Sequence, residues 1–151
     1  MNEKYLVAVD GSEHGWKALD LAAKLAGASD AELILLHVVP HEPMPDGLAQ
    51  FAKAEGLSMA EERGRYHEGR RIGDQIVRQA EARVRKSGFE RVSSRVEEGS
   101  PADRIVAVAE GDGTDMIFLG SRGLSDLKGL LMGSVSHKLM HLAPCTCVVV
   151  K

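Results

Sequence analysis

The sequence has little with which to cross-link itself. Its only cysteines are Cys145 and Cys147. Read as strand residues turned to opposite faces, they are not expected to form a disulfide, and they suit a reducing compartment. Positive charge is not in excess either. A formal net charge of −3 argues against a nucleic-acid partner, which calls for a basic face to neutralise phosphates. No apolar run is long enough to cross a bilayer. The chain enters Lys4-Tyr5-Leu6-Val7-Ala8-Val9 without the charged, apolar and small-residue regions of a signal peptide. These absences together lead to the expectation of a cytoplasmic protein that touches neither membrane nor nucleic acid.

What is present is the composition of an ordinary soluble domain, with 44% hydrophobic and 27% charged residues over 151 positions. That length fits one domain, spanning 1–151, that buries about two-thirds of the surface its unfolded chain exposes.

Short apolar runs alternate with longer amphipathic stretches. Leu6–Val9 reads as a first strand ending at Asp10-Gly11-Ser12. Ser12 then caps a helix, with Trp16 in its core-facing stripe and Gly27 past its end. Leu33–Val39 is nearly continuous in apolar character, as expected of a parallel strand covered on both faces. The segment from Pro40 to Met59, with Pro43 and Pro45, is only weakly helical in pattern. A long helix is predicted over Ala60–Lys86, weakened by Gly64, Gly69 and Gly73 at about 1 kcal/mol each, with Gly88 closing it. Val92–Val96 is a more polar strand suited to a sheet edge. Ser100-Pro101 opens a third helix, Met116–Leu119 is a fourth strand, Val135–Leu142 a last helix and Cys147–Val150 a fifth strand. Such alternation implies parallel pairing through right-handed crossovers, hence a single doubly wound α/β domain with helices on both faces.

The most informative stretch is Gly120-Ser121-Arg122-Gly123, followed after nine residues by Gly133-Ser134-Val135-Ser136. It leaves the fourth strand and opens the last helix. Glycines allow backbone N–H groups to approach an anion closely, and a helix N-terminus favours negative charge. Ser134 and Ser136 add hydroxyls, and Arg122 a cationic fork. The stretch is not a Walker A loop, because Gly129–Ser134 lacks the lysine. Gly111-Asp112-Gly113 precedes a strand and has no third glycine in place, which excludes the dinucleotide fingerprint. On physical grounds alone, the same glycines would also suit bare turns and a tight helix–strand contact.

The sequence resembles the universal stress protein family, in particular its ATP-binding members. The likeness rests on Val7-Ala8-Val9-Asp10-Gly11-Ser12, Leu36-His37-Val38-Val39, Glu98-Gly99-Ser100-Pro101 and Gly120 through Pro144. The family's ATP motif (Gly, two residues, Gly, nine residues, Gly, then Ser or Thr) falls on Gly120, Gly123, Gly133 and Ser134 without a gap. The resemblance implies a Rossmann-like five-stranded parallel sheet of order 3-2-1-4-5 and a homodimer joined through the fifth strands. It implies ATP as ligand, with Asp10 near the ribose and a nucleotide-bound Mg²⁺, and Val38 meeting adenine through its backbone. Gly120, Arg122, Gly123, Gly133, Ser134, Val135 and Ser136 would surround phosphates and ribose.

Other candidates favour plainer readings. His137 and His141 stand four apart on the last helix, yet no third ligand stands at a suggestive spacing, so packing or surface roles are expected. His37 and His41 straddle a strand end beside the site. No general base for phosphoryl transfer is evident beyond Asp10. The expectation is a nucleotide-dependent regulatory protein. A slow ATPase or autokinase, or a dimerisation module with no nucleotide, are the alternatives.

Overall fold

The structure is a computed structural model and describes residues 2–40, 54–55, 60–123 and 132–151, the side chains of 60–68 excepted. Its elements run β1 (Lys4–Ala8), α1 (Glu13–Ser29), β2 (Glu32–Pro40), α2 (Ala60–Lys86), β3 (Val92–Gly99), α3 (Pro101–Asp112), β4 (Met116–Gly120), α4 (Ser134–Leu142) and β5 (Thr146–Val150). The five strands form one sheet of order β3-β2-β1-β4-β5, parallel at every pairing. This is the predicted architecture. Most of the Pro40–Met59 segment lies outside the described residues.

The two-residue alternation of strand side chains divides the interior into two cores. Tyr5, Val7 and Val9 join Leu33, Leu35 and Phe118 under α1 and α2. Leu6, Leu36, Val38, Ile117 and Leu119 face α3 and α4. The central strands are therefore buried on both faces, which is why their sequences read as continuous apolar runs. β3 alternates between half-buried and exposed residues, as an edge strand should, and extends three residues beyond its predicted end, to Gly99.

Three details depart from the sequence reading. Gly27 lies inside α1, which runs on to Ser29. The helix is closed by Asp30, which adopts the left-handed conformation (φ 57°) and returns its N–H to Ala26 O, so no terminal glycine is needed. Cys145 and Cys147 pack against the same core, because residues two apart share a strand face. Both are free thiols whose pKa burial pushes up, which leaves them poor nucleophiles. Finally, Gly69 and Gly73 do more than weaken α2. A Cβ on them would stand 2.9 Å from Val39 Cγ1 and 2.7 Å from His37 Cδ2 respectively. The two glycines let the helix lie directly on the carboxyl half of β2.

Trp16 is half-buried against the first core. The Arg83 guanidinium sits 5.9 Å from its ring centre and donates two 2.7 Å hydrogen bonds to Asp20. The basic end of α2 thus stays solvated, as expected, but also pins α2 to α1.

Candidate functional site

From β1 the chain crosses through α1 to β2 on one side, and from β4 through α4 to β5 on the other. The strand order reverses between β1 and β4, so their carboxyl ends diverge into a crevice where ligands of such sheets bind. Asp10 and the Gly120–Gly123 turn stand at those two ends.

Asp10 is fixed by its own turn. Its Oδ1 accepts from Ser12 N at 2.9 Å and from Ser12 Oγ at 2.5 Å. Gly11 makes the turn possible with φ 84°, a conformation glycine adopts without penalty. The same Ser12 Oγ caps α1 by accepting from Gly15 N at 3.1 Å. Oδ1 is thereby tied to the protein, and Oδ2 is the oxygen this turn does not use. Opposite, Gly120 allows the start of α1 to close on the end of β4. A Cβ there would stand 2.8 Å from Gly15 N, His14 C and His14 Cβ alike.

The crevice is a cavity of about 210 Å³. Asp10, Val38, Gly120 and Gly123 line it, and so do Ser134, Val135 and Ser136 from the first turn of α4. Its remaining walls include His37, Pro40, Leu119, Pro101 and Ile105. Pro101 and Ile105, at the start of α3, give it an apolar side that no sequence motif flagged.

Two predicted site residues, Arg122 and Gly133, stand beside the cavity in sequence but do not line it. Gly133 caps α4 with ordinary extended backbone (φ −74°, ψ 165°) and supplies no side-chain cap. Its N–H donates to Ser121 O at 2.5 Å. The hydroxyl of Ser136 points inward as well, 2.9 Å from Ser121 O and 3.0 Å from Gly133 O, donating to these carbonyls. The Gly133 amide and the Ser136 hydroxyl therefore shape the helix start. What α4 can offer an anion is the remaining first-turn N–H groups, at Ser134, Val135 and Ser136, which have no acceptor within the helix. The positive end of its dipole adds to them.

His37 Nδ1 lies 2.7 Å from Val9 O. A carbonyl only accepts, so Nδ1 carries the proton, and this bond steadies the residue before Asp10. A wider trough of about 510 Å³ runs between the carboxyl ends of α1 and α2, past Lys24, Arg83 and Phe89. It lies at the opposite end of the sheet and holds none of the predicted site residues. Among the described residues, no three His, Cys, Asp or Glu side chains cluster as metal ligands. No described helix is long and apolar enough to cross a membrane.

Fold and crevice together define a Rossmann-like α/β protein with a cavity at the β1/β4 switch point. The family model described as "Universal stress protein family" matches residues 1–151, and the chain belongs to that family. It is 33% identical to universal stress protein YxiE of Bacillus subtilis, with both chains covered in full. Identity is 34% to a universal stress protein of Thermus aquaticus, again over the whole of both. Among solved structures, universal stress protein UspA from Lactobacillus plantarum superposes with a TM-score of 0.80 at 22% identity, covering 99% of this chain and 97% of that one. Two others share the fold and were solved with nucleotides. A universal stress protein in complex with cAMP has a TM-score of 0.66 at 24% identity, covering 99% and 96%. The protein from Archaeoglobus fulgidus in complex with dAMP has a TM-score of 0.70 at 19% identity, covering 100% and 98%.

Proposed function

We propose that the crevice binds an adenine nucleotide, ATP with Mg²⁺, and that the protein acts in the cytoplasm as a nucleotide-dependent regulator of the stress response. The observation that carries this reading is the convergence of two features on one cavity at the switch point. These are the glycine-capped N-terminus of α4 and the fixed carboxylate of Asp10. The cAMP and dAMP complexes of related proteins support adenine as the base.

In this reading adenine lies against Val38, Pro101 and Ile105, with the Val38 backbone reading its edge. Asp10 receives the ribose through Oδ2. The phosphates meet the N–H groups of Ser134, Val135 and Ser136, with Gly120 and Gly123 allowing close approach. Arg122 offers charge from the adjoining turn. One carboxylate plus nucleotide phosphates is a usual ligand set for Mg²⁺, so Asp10 fits an ion carried in with ATP. Bound there, the ion would neutralise phosphate charge.

The β5 edge supports a homodimer. Cys147 through Val150 are only half-buried and, among the described residues, pair on one side alone, which invites a second strand across a two-fold axis. Sedimentation as a monomer at micromolar concentration would contradict that assembly.

Ser134→Asp tests the site. Ser134 is exposed at the first helical position, where a carboxylate suits the helix but repels a phosphate. Calorimetry should give at least a tenfold loss of ATP affinity, with adenosine affinity little changed. Unchanged ATP affinity in the folded variant would overturn the phosphate assignment.

A further inference from the structure

The last two turns of α4 carry a feature the nucleotide reading does not use. His137 and His141 are both exposed, one helical turn apart, and their rings meet edge-on with centres 5.0 Å apart at an interplanar angle of 74°. We propose that this pair is a bidentate site for a borderline divalent transition metal ion, of the class of Zn²⁺, Ni²⁺ or Cu²⁺.

Three physical points carry the assignment. The first is distance. With metal–nitrogen bonds of about 2.0–2.1 Å, two imidazoles bound at angles between about 90° and 110° hold their ring centres about 4.5–5.2 Å apart. The observed separation of 5.0 Å falls inside that range, so the two rings already stand at a chelating distance. The second is chemistry. Imidazole suits these ions, whereas Mg²⁺ and Ca²⁺ select oxygen. The site is thus chemically distinct from the carboxylate and phosphates proposed for Mg²⁺. The third is electrostatic. His141 is in the last turn of α4, where the helix dipole favours a cation. The intervening cation, Lys138, is drawn aside by Asp103 of α3 at 3.1 Å.

Two protein nitrogens leave the remaining coordination positions to water or to a donor from another molecule. The site is therefore open and exchangeable, unlike a closed four-ligand structural centre. It does not depend on the nucleotide proposal: its residues line no part of the crevice, and its test needs no nucleotide.

The test is titration of Zn²⁺ into the intact, nucleotide-free protein, with proton NMR of the histidine rings during addition of Ni²⁺. Single-site binding is expected, with the His137 and His141 ring signals broadened first. His137→Gln and His141→Gln should each lower Zn²⁺ affinity roughly tenfold or more, and, because both side chains are exposed, thermal stability without metal should hardly change. Absence of saturable binding in the wild type would overturn the proposal. So would binding that survives either substitution, since that ion would sit elsewhere.

Discussion

His14 Nδ1 and Ser121 Oγ lie 2.8 Å apart, although 107 positions separate them along the chain. Ser121 is almost wholly buried and uses every polar atom it has. Its N–H donates to Val150 O at 2.7 Å, and its carbonyl accepts from Gly133 N and Ser136 Oγ. One residue thus joins the start of α1, the start of α4 and the end of β5, and its carbonyl sets where the α4 N-terminus stands.

Removing that hydroxyl leaves His14 without its partner. Ser121→Ala should destabilise the protein by about 1–2 kcal/mol, the usual cost of a lost buried hydrogen bond. Chemical denaturation measures it. A loss below about 0.3 kcal/mol would mean that the His14 contact contributes nothing in solution.

The glycines divide into those that a side chain would wedge and those with room. Gly120→Ala would push its Cβ into the backbone of His14 and Gly15, so a loss of about 1–3 kcal/mol is expected. Gly27, inside α1 with nothing within 4 Å of a Cβ, should behave oppositely. Gly27→Ala should add about 0.5–1 kcal/mol through helix propensity. Paired melting curves check both signs.

The Arg83–Asp20 contact should give a small acid-dependent stability. Hydrogen bonding to Arg83, and then its charge, hold the Asp20 carboxyl below the usual aspartate range. A depressed folded pKa contributes stability above the unfolded value, about 3.9, and that contribution disappears as pH falls through the folded pKa. Both side chains are about half exposed, so solvent limits the gain to under about 1 kcal/mol. Asp20→Asn should therefore cost that little at pH 7, and progressively less as pH falls below the unfolded value. A cost that does not shrink with falling pH would assign the effect to packing instead of charge.

Turnover should be slow. The α4 N–H groups hold ground-state phosphate much as they would a transition state, and uniform binding gives affinity without rate. Asp10 Oδ1 is occupied by Ser12 and Oδ2 is given to the ribose in the proposed reading, so no group among the described residues is left to orient an attacking nucleophile. Phosphate release should fall far below the roughly 1–100 s⁻¹ of kinases. A rate in that range, lost in Asp10→Asn with binding retained, would make the protein an enzyme.

Much of the fold was legible because the central strands are buried on both faces and so announce themselves as apolar runs. Ser12 and Ser100-Pro101 marked helix starts at the right residues. Gly27 misled because the left-handed cap fell to Asp30, a residue that tolerates this conformation less often. The roles of Gly69 and Gly73 were hidden because they depend on His37 and Val39, across a helix–sheet contact. In the site, the contiguous glycine motif and Asp10 could be read directly. Pro101 and Ile105 could not, since only the crossover into α3 brings them to the crevice. Nor could spacing reveal that Gly133 N–H and Ser136 Oγ turn inward to Ser121.

The most direct measurement of the central claim is backbone amide NMR of the uniformly labelled protein during titration with Mg·ATP. The largest shifts should fall on Ser134, Val135 and Ser136, with smaller ones at Asp10, Val38 and Gly120. Lys24 and Phe89, in the trough at the far end of the sheet, should stay still. Saturable ATP binding that moves the trough residues and leaves Ser134–Ser136 unshifted would contradict the account, as would the absence of any binding at millimolar ATP.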